Sequence, residues 1–427
     1  MKNIFKVSAF IALLSLINPL NAQETTRFVD LLQKGKSEFY KVQGDQNFLR
    51  AVNYLEEAVK IDPENQEANY FLGCAYDQLL TVHAGELEES PLEILKKSSD
   101  LFRKVIKINP YYEGEKYRLD PYSKLMGVWG TIAVNYLAAG EKENAVKAFK
   151  EGMKSGGYFP SQLEYNKNVL RSVKKNAVLF TNGDIDTFPI WFLQFVENFR
   201  TDVTVVNLSL LNTPWYRLQL KKSKMFGPNK IVFDMTDEKL VGLSHLPWKP
   251  DTVSIVLQGE QKNGKNEIKW VVYPTIENRG IRIQDMLIIK IIQNNILKRP
   301  VYFATTVSET NKIGLHEYLA LEGLVSEINT IKTAPVSAEV IYKNCFSNYT
   351  YESLKDPVLN YSDDIKTIYG NYRFSLIKAA QEFYHNSDKE NAKACIDLMN
   401  EKIPEEKVPY RDPGMKSQIE RFYNLLK

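Results

Sequence analysis

Cysteine is nearly missing from this chain: Cys74, Cys345 and Cys395 are its three copies in 427 residues. Three scattered thiols form no disulfide framework and no paired CxxC, which excludes a stapled small scaffold and a thiolate zinc site. A Cys345–Cys395 bond stays open, and Cys74 sits in a helical pattern as a small core residue. Histidine is also rare, and His83, His245, His316 and His385 show no metal-ligand spacing. An excess of one charge is absent, because 55 Lys and Arg face 52 Asp and Glu for a net charge of +3. Such balance excludes nucleic acid or an anionic membrane surface as the main partner. There is no serine-hydrolase elbow and no Walker loop. Beyond the N-terminus no apolar run approaches the roughly 20 residues of a membrane span. Met286 to Ile292 is apolar but stops at Gln293, Asn294 and Asn295.

The N-terminus supplies the compartment. Lys2 and Lys6 precede the apolar run Val7 to Ile17, and Asn18-Pro-Leu-Asn-Ala22 ends it at a small residue. This pattern predicts a secretory signal peptide cut after Ala22, with an uncleaved anchor as the alternative. No cysteine follows the run, which argues against a lipoprotein. The expected mature protein is exported, periplasmic and without a membrane span.

Internal repetition comes next. Trp129, Ala133, Tyr136, Ala145 and Phe149 fall at the spacing of one tetratricopeptide repeat, with Gly140-Glu-Lys142 as the turn between its helices. Small residues there let two antiparallel helices approach, and aromatic residues fill the groove. Ala51, Leu55, Ala58 and Pro63 match the end of another copy. Leu72, Gly73 and Tyr76 begin a third, which resumes at Ser98, Phe102, Val105 and Pro110 after an insertion over Thr81 to Pro91. Val59-Lys-Ile-Asp-Pro63 and Ile106-Lys-Ile-Asn-Pro110 are near-duplicates in which proline stops a helix. The resemblance to tetratricopeptide repeats covers about Thr26 to Pro160 and implies a groove for a protein or peptide partner. Bracing of the following domain is the plainer alternative. Tyr111, Tyr112, Tyr117 and Tyr122 lie between repeats and suit either a binding surface or interdomain packing.

From Asn176 the period changes. Ala177 to Thr181 and Val203 to Asn207 read as buried strands flanking a helix over Thr187 to Phe199, a βαβ unit. Thr187 is the expected N-cap, with Pro189 in the first turn. A helix over Pro214 to Lys224 and a strand over Ile231 to Phe233 follow. Val253 to Gln258 and Glu267 to Tyr273 form a hairpin around Lys262-Asn-Gly-Lys-Asn266. A helix over Ile283 to Leu297 buries Met286, Ile289, Ile292 and Ile296, and Val301 to Ala304 is a further strand. In the tail, Leu376, Ala380, Phe383, Ala392, Ile396, Met399 and Pro404 fit one more tetratricopeptide-like unit. The fold class is thus α plus α/β: helical repeats, a mixed-sheet α/β (Rossmann-like) domain and a helical tail. The expected boundaries are 1–22 for the signal peptide, 23–170, 171–345 and 346–427.

Asn182-Gly-Asp-Ile-Asp-Thr-Phe-Pro-Ile-Trp191, Arg200-Thr-Asp-Val203, Val206 to Thr213 with Trp215-Tyr216, Arg299 to Ala304 and Leu321-Glu-Gly-Leu324 carry a further resemblance. Over about Ser172 to Lys427 the chain resembles the soluble C-terminal region of large bacterial membrane proteins similar to protein O-mannosyltransferases. The resemblance implies a fold. Glycosyltransferase activity belongs to the multi-span half, where this chain carries helical repeats instead. Ile185 stands where that family most often has Asn.

The candidate ligand loop is Asn182, Asp184, Asp186 and Thr187, with Asn207 at the next strand end, where α/β sheets hold ligands. Asp184-Ile-Asp186-Thr187 resembles the DxDxT signature of haloacid-dehalogenase-like phosphatases, in which the first Asp is nucleophile and the second acid/base. Here the first Asp lies beyond Asn182-Gly183 rather than at the strand end. Helix N-capping by these acids is the plainer reading, because carboxylates are favoured there by the dipole alone. No cofactor is called for; a divalent cation on Asp184 and Asp186 stays open. Arg200, Arg282 and Arg299 are candidate partners for the acids or for an anion, and Trp191, Trp215, Tyr216 and Trp270 could pack or line a sugar surface. The expected function is partner binding within an envelope assembly or glycan-handling system. The alternative is a metal-dependent hydrolase or transferase acting on phosphate or sugar at the Asp184/Asp186 loop.

Overall fold

The computed structural model describes residues 19–42, 44–82, 89–256, 267–410 and 412–426. The apolar run Val7 to Ile17, His83 and the turn Lys262 to Asn266 lie outside them. The expected cleavage point after Ala22 falls within a helix, α1 (Pro19–Phe39). No helix among the described residues is long and apolar enough to cross a membrane. The chain divides into two compact units, one ending at Val128 and the other starting at Trp129.

The first unit is helical. After α1 come α2 (Phe48–Ile61), α3 (Gln66–Val82), α4 (Pro91–Ile108) and the first half of α5 (Pro121–Ala138). Asn47 caps α2 through the Arg50 N–H at 2.9 Å, and Ser90 caps α4 ahead of a proline that needs no donor there. The near-duplicate Ile-Asp-Pro63 and Ile-Asn-Pro110 stretches end α2 and α4 at equivalent points. Helices α1 to α4 pack each on the next. Their interface is built on Phe39, Phe48 and Phe71, whose rings meet edge-on at 5.2 and 5.3 Å. Gly73 lets α4 come close, since a Cβ there would stand 3.0 Å from the Phe102 ring. The tyrosines after α4 are not an exposed patch. Tyr111 is half exposed, but Tyr112, Tyr117 and Tyr122 are buried. The Tyr112 and Tyr122 hydroxyls are satisfied by the Glu115 and Pro110 carbonyls at 2.8 and 2.9 Å.

The second unit holds the rest of α5, α6 (Lys142–Lys154), α7 (Pro160–Ser172) and a five-stranded sheet. Trp129, Ala133, Ala145 and Phe149 are buried, whereas Tyr136 is only half buried. Phe149 also faces the next domain's helix, stacking on Phe195 at 6.0 Å. The sheet contains β1 (Val178–Thr181), β2 (Thr204–Asn207), β5 (Val301–Ala304), β6 (Leu319–Leu321) and β7 (Val325–Ile328), in the order β2–β1–β5–β7–β6. Strand β1 runs parallel to β2 and β5, with Val178 opposite both Thr204 and Val301. Strands β6 and β7 are antiparallel and complete a mixed sheet. A Rossmann sheet is parallel nearly throughout, and here only the β2–β1–β5 part is. β1, β2 and β5 are buried along their whole length, as short apolar runs in parallel strands should be.

Around the sheet, α8 (Asp184–Phe195) crosses from β1 to β2, and α9 (Pro214–Lys222) and α10 (Ile283–Asn295) follow. The hairpin of β3 (Asp251–Val256) and β4 (Glu267–Val272) is antiparallel. Ile231 to Phe233 is not a strand; the Ile231 N–H bonds the Leu220 carbonyl and Val232 bonds the Asn295 side chain. The core face of α10 is Leu287, Ile288, Ile291 and Ile292, and Met286 and Ile289 are half buried. In the tail, α11 (Asp363–His385) and α12 (Lys389–Lys402) pack as a pair, followed by α13 (Pro413–Leu425). The three cysteines are buried free thiols, so Cys345 and Cys395 are not bonded.

The expected boundaries at 170 and 345 both fall inside the second unit, and α7 is the reason. Its Ser161 N–H bonds the Asp356 carboxylate at 2.9 Å, and Glu164 accepts the Glu352 and Ser353 N–H groups. Its Asn168 amide bonds the Thr350 carbonyl and the Tyr372 hydroxyl, each at 2.8 Å. One helix is thereby fastened to the tail by buried polar groups on several successive turns.

Candidate functional site

The loop after β1 is built around one carboxylate. Asp186 accepts the Asn182 N–H at 3.0 Å, the Gly183 N–H at 2.9 Å, the Thr306 hydroxyl at 2.5 Å and the Thr187 hydroxyl at 3.3 Å. It lies at the third position of α8 and reaches back to satisfy donors that the helix start leaves open. Gly183, not Thr187, therefore fills the N-cap, and α8 begins three residues earlier than its sequence suggests. Burial raises the Asp186 pKa above the ordinary carboxylate value, while those hydrogen bonds pull it back.

Moving the start places Pro189 inside the helix rather than in its first turn. Proline has no N–H for the Ile185 carbonyl four residues earlier. That carbonyl instead accepts from Asn166 of α7 at 3.2 Å.

Thr187 and Asn207 belong to the same network. The Thr187 hydroxyl lies 2.8 Å from that of Thr181 and accepts from the Asn207 amide at 2.8 Å. The Asn207 Oδ1 takes the Leu210 N–H at 2.8 Å, and its own N–H goes to the Tyr216 hydroxyl at 3.1 Å. Asn182 Oδ1 accepts from Asn311 at 2.6 Å, and Asn311 in turn accepts from Arg282, which also grips the buried Asp285 at 2.7 and 3.2 Å. Asp184 is half exposed, and its charge adds to burial in raising the Tyr158 hydroxyl pKa. Four of the five candidate residues thus converge, and what they converge on is one another. Among the described residues no group of three His, Cys, Asp or Glu side chains could hold a metal ion.

The sequence did not point to Thr306 or Asn311. Their signal was position, since Thr305 and Thr306 follow β5, the parallel neighbour of β1. The candidate arginines serve the scaffold. Arg299 donates to the Asn176, Ala177 and Asn229 carbonyls at 2.8, 2.9 and 3.1 Å and to Thr204 at 2.7 Å, and burial pulls its pKa down to about 10. Arg200 holds Asp202 and the carbonyls that end α7. The candidate sugar-stacking rings are core: Trp191, Tyr216 and Trp270 are buried and Trp215 is half buried. Tyr158 OH, the Gln162 amide and Asn166 Oδ1 are buried without a protein partner, a demand that ordered water ordinarily meets.

A second polar cluster sits at the β6–β7 turn. Glu322 is buried beside Glu327, which Lys174 holds at 2.6 and 2.7 Å and the Tyr302 hydroxyl bonds at 3.2 Å. Burial and the neighbouring Glu327 push the Glu322 pKa up to about 7. Gly323 follows at φ +102°, with Ser375 bonding its carbonyl at 2.6 Å, so the Leu321-Glu-Gly-Leu324 stretch is a structural turn that docks the tail.

Residues 162–245 and 251–344 match the family model described as TMEM260-associated domain 2, TMEM260 being O-mannosyltransferase-like. Residues 15–125 match the model of the plant-specific mitochondrial import receptor subunit TOM20. Each match covers less than half of the chain and is a likeness of that segment. No curated protein and no solved structure matches the chain.

Proposed function

We propose that this chain is an exported periplasmic scaffold that binds a protein or peptide partner through tetratricopeptide-like repeats, within an envelope assembly or glycan-handling system. The observation that carries the reading is the state of the acidic loop. Asp186, the better placed of its two acids, is buried and committed to two N–H groups and two hydroxyls, which leaves it a capping role. The paired helices with near-duplicate ends support the repeat reading. The Lys2, Lys6 and Val7–Ile17 pattern supports export. The likeness of residues 162–344 to a TMEM260-associated domain supports an origin shared with O-mannosyltransferase-like proteins, with the α/β domain as a second surface.

The test has two arms. Affinity capture from the native envelope should return a defined partner whose binding is lost when exposed positions of α1 to α4 are replaced. A phosphatase and glycosidase screen with Mg2+ and Ca2+, on wild type, Asp184→Asn and Asp186→Asn, should show no turnover that depends on either acid. Metal-dependent turnover lost in either variant would overturn the reading in favour of the hydrolase or transferase alternative.

A further inference from the structure

The tail carries a surface that the acidic loop lacks: open, largely apolar and lined by more cations than acids. Helices α11 and α13 enclose a cavity of about 420 Å³ whose apolar lining includes Phe374, Ile377, Met415, Ile419 and Phe422. A second cavity of about 420 Å³ runs from Thr305, at the end of β5, past Leu319 and Leu321 of β6. The two share Asn371, Phe374 and Lys378, so they form one trough along α11. Each is within the roughly 300–1,000 Å³ of ligand pockets. Phe374 stands at the junction and is 48% exposed, and Met415 beside it is 43% exposed. Apolar side chains left open together in a concavity mark a place where another molecule sits.

Charge specifies that molecule. The charged residues of the first cavity are Lys366, Arg373 and Lys378, with no acid among its lining. Arg373 is decisive because it is only 4% exposed yet faces the cavity. Its guanidinium bonds the Ile403 and Val408 carbonyls at 2.9 and 2.6 Å and lies 4.0 Å from the Tyr410 ring, but among the described residues its Nε has no partner and no carboxylate forms an ion pair with it. The nearby Glu405 is bonded to Lys416. Lys378 makes no ion pair among the described residues and lies 5.8 Å from the Phe374 ring. Lys366 and Lys312 do have acids, Asp363 and Glu309, and Glu309 is the one acid in the second cavity's lining. A buried cation whose only counter-charge, Glu405, acts from a distance is costly unless a partner supplies a nearer one.

We infer that this trough binds an acidic peptide segment of another protein, with an aromatic or aliphatic side chain against Phe374 and a carboxylate facing Arg373 and Lys378. The edge of the sheet is not the dock, because β6 is already covered by the Pro335–Ser337 backbone. A peptide suits the trough better than a fatty acid does. The trough is open, and Asn371, Gln381 and Gln418 line it with carboxamides that match peptide groups. This inference does not depend on the N-terminal helices having a partner of their own.

The experiment is to pan a random peptide display library on the whole protein and to measure the enriched peptides, fluorescently labelled, by anisotropy. Enriched peptides should combine Asp or Glu with Phe, Trp, Leu or Ile. Affinity should fall at least tenfold in Phe374→Glu and in Lys378→Glu, and should weaken with added salt. Thermal melts check that both variants stay folded; both positions reach solvent, and either variant alone suffices. Peptides without an acidic excess, binding unchanged in a folded variant, or dodecanoate binding with no peptide enrichment would each overturn the inference. Capture by α1 to α4 tests the first proposal separately, since neither variant touches those helices.

Discussion

Glu322→Gln should flatten the pH dependence of stability of this protein. Glu322 lies buried at the β6–β7 turn, with Glu327 as its like-charged neighbour and Lys174 and Tyr302 as the other groups around the pair. Its pKa stands at about 7 against an ordinary 4.5. The sign follows from linkage. A carboxyl raised in the folded state is held in its protonated form, so its contribution is complete below pH 4.5 and is lost as the pH climbs through about 7. A difference of about 2.5 pH units has a ceiling of roughly 3 kcal/mol at 1.36 kcal/mol each. Glu322 shares its ionisation with the neighbouring Glu327, so only part of that ceiling belongs to it and the expected effect is about 1–2 kcal/mol. Glutamine keeps a donor toward Glu327 and cannot ionise. The assay is thermal melting of wild type and variant at steps from pH 4.5 to 8. Wild type should lose about 2–4 °C relative to the variant across that range. Parallel curves would refute the assignment of a raised pKa to Glu322.

Three further outcomes are expected. Asp186→Asn turns an amide donor toward N–H groups and should cost about 1–3 kcal/mol in denaturant melts, whereas Asp184→Asn should cost under about 1 kcal/mol; equal costs would contradict the capping role of Asp186. Gly130→Ala places a methyl 1.9 Å from the Phe188 ring and should cost about 1–3 kcal/mol, partly restored by adding Phe188→Leu, and an unchanged melting temperature would show that α5 and α8 do not pack this closely. Protein released from the envelope by osmotic shock should begin at Gln23 on N-terminal sequencing, and a cytoplasmic pool retaining Met1 would end the export proposal.

Buried elements with strong local signals were legible in the sequence. β1, β2 and β5 are apolar β-branched runs with no competing period, and α2 and α4 carry both a capping residue and a terminal proline. β6 and β7 were not legible, because Leu319–Leu321 and Val325–Ile328 are too short to display an alternation and are ordered by pairing with β5. Within the site, the sequence placed Asp184, Asp186, Thr187 and Asn207 at neighbouring strand ends but misplaced the start of α8. Proline at Pro189 argued for a late start. The bond from Asn166 that makes an early start tolerable comes from α7 and leaves no trace in the local sequence. Thr306 was hidden for the same reason, since its partner lies 120 residues away.

The fastening of α7 has a consequence for biosynthesis. Its bonds to Tyr349 and Tyr369 span 177 and 208 residues. At a synthesis rate of roughly 5–20 residues per second, α7 leaves the ribosome about 10–40 s before the groups that satisfy it. During that interval Ser161 and Glu164, and the Asn168 amide N–H groups, are without the tail partners that satisfy them. A chain stopped near residue 345 would therefore be an unfinished protein with an open seam along α7, and excising the α/β domain at its apparent ends would cut through its main fastening.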